Sequence, residues 1–335
     1  MLMEYVAYFE LGDRPNVIVD GAASPSTILT LSHWPGAPTP AAVQADLSAE
    51  IAMRYLEQPE LHVRADVVSN NHFDEDGLMS LYALVAPEQA LARRELVEDV
   101  ARAGDFGRFE TRDAARVSFA ISRLADPTGS PLGPSFFERP YEQLADGLYT
   151  ELLNRLPELL DDVEGHRPLW EEEDDELTRS ERAVESGEVT IEDQPRVDLA
   201  IVTVPESFAS RSVHRFTQQR SARIHPMAVH NRTDMLRTLT IAGSSFEVAF
   251  RYETWVQLVS RRPMPRVDLS PLAERLNGME SGGGTWSFDG VGDIVPRLHL
   301  DGSEASSSIA PDVFMRDLTS FLESAPPAWD PYSPR

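Results

Sequence analysis

The sequence predicts an α/β protein with a parallel-sheet N-terminal domain, a helical linker and a smaller α+β C-terminal domain. Short β-branched runs alternate with helix-like stretches through the first third of the chain. A strongly acidic helical run comes next, and the strand pattern restarts at VDLAIVTVP, residues 197–205. These observations place an α/β domain at 1–165, an acidic helical linker at 166–195, an α+β domain at 196–322 and a tail at 323–335. A chain of 335 residues is long enough for two cores of ordinary size.

In chain order, NVIVDG and STILTLSH read as strands, AAVQADLSAEIAMRYLEQ as a helix, HVRADVVSNNH as a strand and GLMSLYALV as a helix. Residues 88–125 and 140–163 have amphipathic helical spacing and are separated by the breaker-rich PTGSPLGPSFFERP. The acids between Trp170 and Asp193 fit a solvated helix face or linker. In the second domain SSFEVAFRYETWVQLVS reads as strands, RYETWV among them, with Trp255 in the core and Arg251 at its rim. APDVFMRDLTSFLES reads as a final helix.

Composition removes several functions. The net charge of −25 repels polyanions, so duplex nucleic acid is excluded as a partner while small anionic substrates are not. With no cysteine, disulfides, thiolate zinc sites, iron–sulfur clusters and a cysteine nucleophile are impossible. All 30 basic residues are arginine, which rules out a Schiff-base lysine and a Walker-type phosphate lysine. MLMEYVAYFELGDRPN lacks the basic start of a leader, and no later stretch is apolar for ~20 residues, so a cytoplasmic protein with no membrane partner is expected. Residues 211–266 differ from the rest: they hold ten arginines and three acids. Those arginines either pair with acids of the first domain or bind phosphate.

The densest chemistry lies in SNNHFDEDGLMSLYAL, residues 69–84. A strand ending before His72, Asp74 and Asp76 puts alternate polar groups at a strand's carboxyl end, where open α/β sheets build sites. Two carboxylates and an imidazole suit Mn²⁺ or a related divalent cation such as Mg²⁺. A calcium loop is rejected, because aligning His72, Asp74, Asp76 and Gly77 with its first half puts Ala83 at the position that needs a bidentate acid. Capping of the helix beyond Gly77 accounts for one acid and leaves the other two groups unexplained. IHPMAVHNRTD supplies His225, His230 and Asp234; read as a strand, its two histidines face opposite sides, which favours a structural or substrate-contact role over metal ligation.

NHFDEDGLMSLYAL resembles the first motif of the DHH-type phosphoesterases, a strand followed by H-x-D-x-D-G-x-x-S and an apolar helix. In the second domain, RVDLSPLAERLNGMESGGGTWSFDG is similar to that family's substrate-domain signature, with Asp268, Leu269, Ser270, Ala273 and Gly282, Gly283 and Gly284 in place. Thr285 and Trp286 stand where a histidine usually comes after the glycines, and no Asp-His-His tripeptide occurs downstream of the first motif. Upstream, NVIVDG and LTLSHWPG end strands at Asp20 and His33. LSHWPGAPTPAAVQADLSAEIAMRYL resembles the stretch that trails the tripeptide in that family, as a permuted motif order would give. ARAGDFGRF supplies Asp105 and is similar to a later acidic motif of the family.

The resemblance implies a divergent relative that hydrolyses a small phosphodiester or nucleotide by a two-metal mechanism. His72, Asp74 and Asp76 would be the catalytic motif, and Asp20, His33 and Asp105 would complete the metal ligands. Arg223, Arg232, Arg251, Gly283 and Gly284 would meet the substrate, and a homodimer is compatible with this reading. The alternative is a non-catalytic nucleotide-binding or interaction protein that keeps the fold.

Overall fold

The computed structural model describes residues 2–215, 218–301 and 306–333, and side chains outside 212–221. The chain divides into two units: Met1–Leu177 with Ser212–Ser221 and Leu258–Arg261, and Thr178–Arg211 with Ala222–Gln257 and Arg262–Arg335. The division falls within a helix, upstream of Pro195.

The first unit is built on four parallel strands: β1 (Glu4–Tyr5), β2 (Asn16–Val19), β3 (Thr27–Leu31) and β4 (Val67–Ser69), in the order β1-β4-β2-β3. All four residues of β2 and all three of β4 are buried, which fits the consecutive β-branched residues at 17–19 and 67–68. Helix α1 (Ser48–Leu56) lies between β3 and β4 in the chain. It starts seven residues later than the pattern from Ala41 suggests. Helix α2 (Glu75–Val85) comes after β4 and is buried from Glu75 through Leu84, so its apolar residues run all round. Helices α3 (Pro87–Ala92), α4 (Arg94–Phe106), α5 (Arg112–Ala125), α6 (Pro134–Phe137) and α7 (Tyr141–Asp161) come next, with α4 packed on α2 and on α5.

Helix α8 (Arg167–Ser186) carries the acidic run, but one side of it is not solvated. Trp170 is buried and donates its indole N–H to the Val163 carbonyl at 2.8 Å, while Asp174 accepts from Arg112 Nε at 2.6 Å.

The second unit contains β5 (Thr190–Gln194), β6 (Leu199–Thr203), β9 (Arg237–Ala242), β10 (Ser245–Phe250), β12 (Thr285–Phe288) and β13 (Arg297–Asp301) in one sheet of order β12-β13-β10-β9-β6-β5. Only the β6–β9 pairing in it is parallel. Short paired strands β7 (Arg211–Arg215) and β8 (Gln218–Ala222) and helix α9 (Pro226–His230) interrupt it between β6 and β9. Helices α10 (Ser270–Met279) and α11 (Pro311–Ser324) share its core, where Phe246 stacks on Phe314 at 4.7 Å beside Trp286. The tail is tied down: β11 (Arg266–Val267) pairs with β14 (Pro327–Trp329). Among the described residues, no helix is long and apolar enough to cross a membrane.

Two local expectations are corrected. RYETWV is a 3₁₀ turn over Tyr252–Thr254 rather than a strand, closed by Thr254 N–H to the Arg251 carbonyl at 3.0 Å, and Trp255 is only half-buried. IHPMAVH is helix α9 rather than a strand. His225 caps it by accepting the Met227 N–H on Nδ1, and both His225 and His230 are buried in the second unit.

Candidate metal centre

Three neighbouring strands end in polar residues at one edge of the parallel sheet. β2 runs into Asp20, β3 into His33, and β4 into the turn that holds His72, Asp74 and Asp76. Because β2 lies between β3 and β4, Asp20 stands between the groups the other two supply. Asp20 also has φ of +44°, a left-handed conformation rare outside glycine that costs about 1–2 kcal/mol. Such strain persists where the surroundings over-determine a side chain's aim. The main chain is held by Asp20 N–H to the Leu31 carbonyl at 2.9 Å and by Asn70 Nδ2 to the Asp20 carbonyl at 3.2 Å.

Asp105 joins from the last turn of α4, and all six expected ligands come together. His33 Nε2 lies 3.4 Å from Asp20 Oδ1, 3.6 Å from Asp105 Oδ2 and 3.8 Å from Asp76 Oδ2. His72 Nε2 lies 3.5 Å from Asp20 Oδ2 and 2.7 Å from Asp74 Oδ2. The side chains of Asp20, His33, Asp76 and Asp105 are fully buried, whereas that of His72 is 20 % exposed. Trp34 packs its ring against His72 at 4.9 Å.

Each ligand is aimed by the local fold. Asp74 is the N-cap of α2, with Oδ1 accepting the Gly77 N–H at 2.8 Å, so capping and presentation of Oδ2 to His72 are both true of one residue. Asp76 takes the Ser48 and Ala49 N–H groups, each at 2.7 Å, and thus caps α1, which has no side-chain cap of its own. Ser48 Oγ donates to Asp20 Oδ1 at 2.8 Å, and His33 Nδ1 lies 2.6 Å from the Asp46 carbonyl. A carbonyl can only accept, so Nδ1 is the donor in that bond and Nε2 is the nitrogen turned toward the carboxylates. Glycine is required at Gly77, where a Cβ would stand 2.4 Å from Asn70 Nδ2 and 2.5 Å from Tyr149 Oη.

The electrostatics are those of carboxylates crowded together in the interior. Burial pushes the Asp20 carboxyl well above the ordinary carboxylate range, and the charge of Asp74 adds to it. Burial does the same to Asp76, with Asp20 adding, and to Asp105, with Asp76 adding. For Asp74, burial is outweighed by the His72 charge and hydrogen bond and by the Gly77 amide, which hold its carboxyl low. Burial alone would lower His72, but Asp74 keeps its imidazole above the usual value.

The donor set fits a hard divalent ion. Ligands held at 2.0–2.2 Å from a common ion stand about 3.0–3.6 Å apart, close to the spacing of His33 Nε2 from the Asp20 and Asp105 oxygens. Asp20 Oδ2 is buried and meets no N–H or hydroxyl donor among the described residues, its polar company there being the Asp74 carboxyl, with which it can share a proton, and His72 Nε2 at 3.5 Å. Two groups of ligand atoms lie within 4.8 Å of one another, Asp20–His72–Asp74 and Asp20–His33–Asp76, and Asp20 is common to both. A buried Asp/His cluster able to hold a metal ion is therefore present.

A profile of the family of unknown function DUF6687 matches residues 1–333. This chain belongs to that family. No curated protein and no solved structure matches it.

In this DUF6687 member the expected substrate contacts lie in the second unit, apart in sequence from the cluster. Arg251 is corrected to an interior role: it is 3 % exposed, its guanidinium donates to Glu253, itself 3 % exposed, and it lies 3.4 Å from the Thr233 and Met235 carbonyls. Arg223 donates to the Phe208 carbonyl at 2.7 Å, and exposed Arg232 pairs with Glu185 at 3.0 Å. Gly284 is needed for packing, since a Cβ there would meet Leu300 Cγ at 2.7 Å, whereas Gly283 borders open space. The side chains of Arg215 and Arg220 lie outside the described residues.

Sequence reasoning missed Ser48, Asp46 and Tyr149, whose hydroxyl donates to the His72 carbonyl at 2.6 Å. A serine at a helix start reads as a cap, and nothing local ties it to a residue 28 positions away.

Proposed function

We propose that this protein is a metal-dependent phosphoesterase that hydrolyses a small phosphodiester or nucleotide, with two divalent cations, Mn²⁺ or Mg²⁺, held around Asp20. The observation that carries this reading is the sharing of Asp20, one oxygen toward His33 and the other toward His72. Two bound ions would supply Lewis-acid stabilisation of phosphoryl oxygens and acidify water. The chain's residues set the geometry: Asp20, Asp76 and Asp105 would exchange the protons that burial favours for bound cations, while Asp74 holds His72 by a hydrogen bond. For His72 to bind through Nε2, the proton shared with Asp74 must leave; Nδ1, which has no hydrogen-bond partner among the described residues, can carry one.

The resemblance of residues 71–84 to the DHH-type motif supports the reading, as does the arrival of Asp20 and His33 from strands upstream of it. The test is hydrolysis of dinucleotides, cyclic dinucleotides and a model phosphodiester with Mn²⁺. Turnover that is lost on chelation and in Asp105→Asn supports the proposal. Metal binding without turnover of any of them leaves the nucleotide-binding reading in its place.

A further inference from the structure

We propose that Asp46 is a positioning residue for His33, held in place by the Leu258–Arg261 segment. Asp46 has two roles at once. Its carbonyl receives the His33 Nδ1 proton at 2.6 Å, and its carboxylate is engaged by a piece of chain more than two hundred residues away. Oδ1 accepts the Val259 and Ser260 N–H groups at 2.6 and 2.8 Å, and Oδ2 accepts the Ser260 hydroxyl. The segment belongs to the first unit, although the chain on both sides of it belongs to the second.

Residues 41–47 form no helix, so nothing periodic fixes the Asp46 carbonyl. Three donors on one carboxylate do so instead, and charge-assisted bonds of this kind are the stronger ones. A carbonyl fixed in this way selects the His33 tautomer and points Nε2 at Asp20, Asp76 and Asp105. Val259 and Ser260 are exposed while the adjoining Leu258 is buried, so apolar burial seats one end of the segment and the bonds to Asp46 hold its exposed part.

The inference rests on the metal reading of the cluster, and its test has an arm that does not. Mn²⁺ affinity is measured by calorimetry for wild type, Asp46→Ala, Asp46→Asn and Ser260→Ala, with melting curves. The His33 tautomer is read from ¹⁵N imidazole shifts in the metal-free protein. Asp46→Ala is expected to weaken Mn²⁺ binding about tenfold, the lower end of the effect of outer partners of metal-bound histidines, and to mix the tautomers. Asp46→Asn, which can still accept the Val259 and Ser260 amides, is expected within about threefold of wild type on the same scale. Ser260→Ala should fall between them and covers the case in which Asp46→Ala does not fold. Unchanged affinity and a single His33 tautomer in Asp46→Ala or Ser260→Ala, even with a lower Tm, would overturn the proposal and leave Asp46 a purely structural anchor. Wild type that binds no Mn²⁺ but loses its single tautomer in Asp46→Ala would sink the metal reading while sustaining the positioning role.

Discussion

Replacing Asp20 by Asn removes the carboxylate common to both ligand groups and keeps the side chain's size and an oxygen for Ser48. Suppose one ion binds on each side of Asp20. At a metal concentration 100-fold above each Kd, each ion stabilises the fold by about 2.7 kcal/mol, or ~5 kcal/mol for the pair. A unit of this size shifts its Tm by roughly 2–4 °C per kcal/mol, so Mn²⁺ should raise the wild-type Tm by about 10–20 °C. Asp105 approaches His33 and His72 approaches Asp74, so Asp105→Asn and His72→Gln should each lose about half of that gain. Asp20→Asn should lose nearly all of it. Scanning calorimetry with and without Mn²⁺, paired with titration stoichiometry, reads both quantities. Should Asp20→Asn keep one bound ion and half the shift, as Asp105→Asn does, the shared-ligand reasoning is refuted.

Gly77→Ala forces a Cβ to within 2.4 Å of Asn70 Nδ2 and 2.9 Å of Asp74 Oδ1, so a loss of about 1–3 kcal/mol in denaturant unfolding is expected, with weaker Mn²⁺ binding. Arg251→Ala strips a buried partner from Glu253 and should cost about 3–5 kcal/mol, read as a fall in Tm with no change in the KM of the folded fraction. In pH, the raised carboxyls of Asp20, Asp76 and Asp105 bind more protons folded than unfolded. Their stabilisation of the metal-free protein is full below about pH 3.9 and is lost as pH rises through the folded values. Metal displaces those protons, so the rise in Tm on adding Mn²⁺ should grow with pH, and a shift that stays flat between about pH 5 and 8 contradicts this. Asp76→Ala should lower stability even without metal, by roughly 1–3 kcal/mol, because the Ser48 and Ala49 amides lose their acceptor.

Strand ends were the legible part of the sequence. NVIVD, LTLSH and VVSNNH each close a β-branched run on a polar group, and a parallel sheet collects such ends at one edge, which is how Asp20, His33 and His72 meet. The α/β character and the helix from Glu75 are set by the same periodicity. Features that depend on distant partners were not legible. The stretch 41–47 has helical spacing but is turn and bend, and the Asp46 carbonyl and carboxylate in it bond to His33 and to residues 259–260. Aromatic and charged residues in RYETWV suit a strand, yet the Arg251–Glu253 pair and two backbone turns fold it tightly. In IHPMAVH a signal was present and misread: a polar residue followed by proline opens a helix.

Diffraction near the manganese edge from crystals grown with Mn²⁺ decides whether Asp20 lies between two metal positions. Two anomalous peaks are expected, about 4 Å apart, on either side of the Asp20 carboxylate, one beside His33, Asp76 and Asp105 and the other beside His72 and Asp74. A single peak that Asp20 does not touch, or none within coordination distance of it, would rule out a shared Asp20.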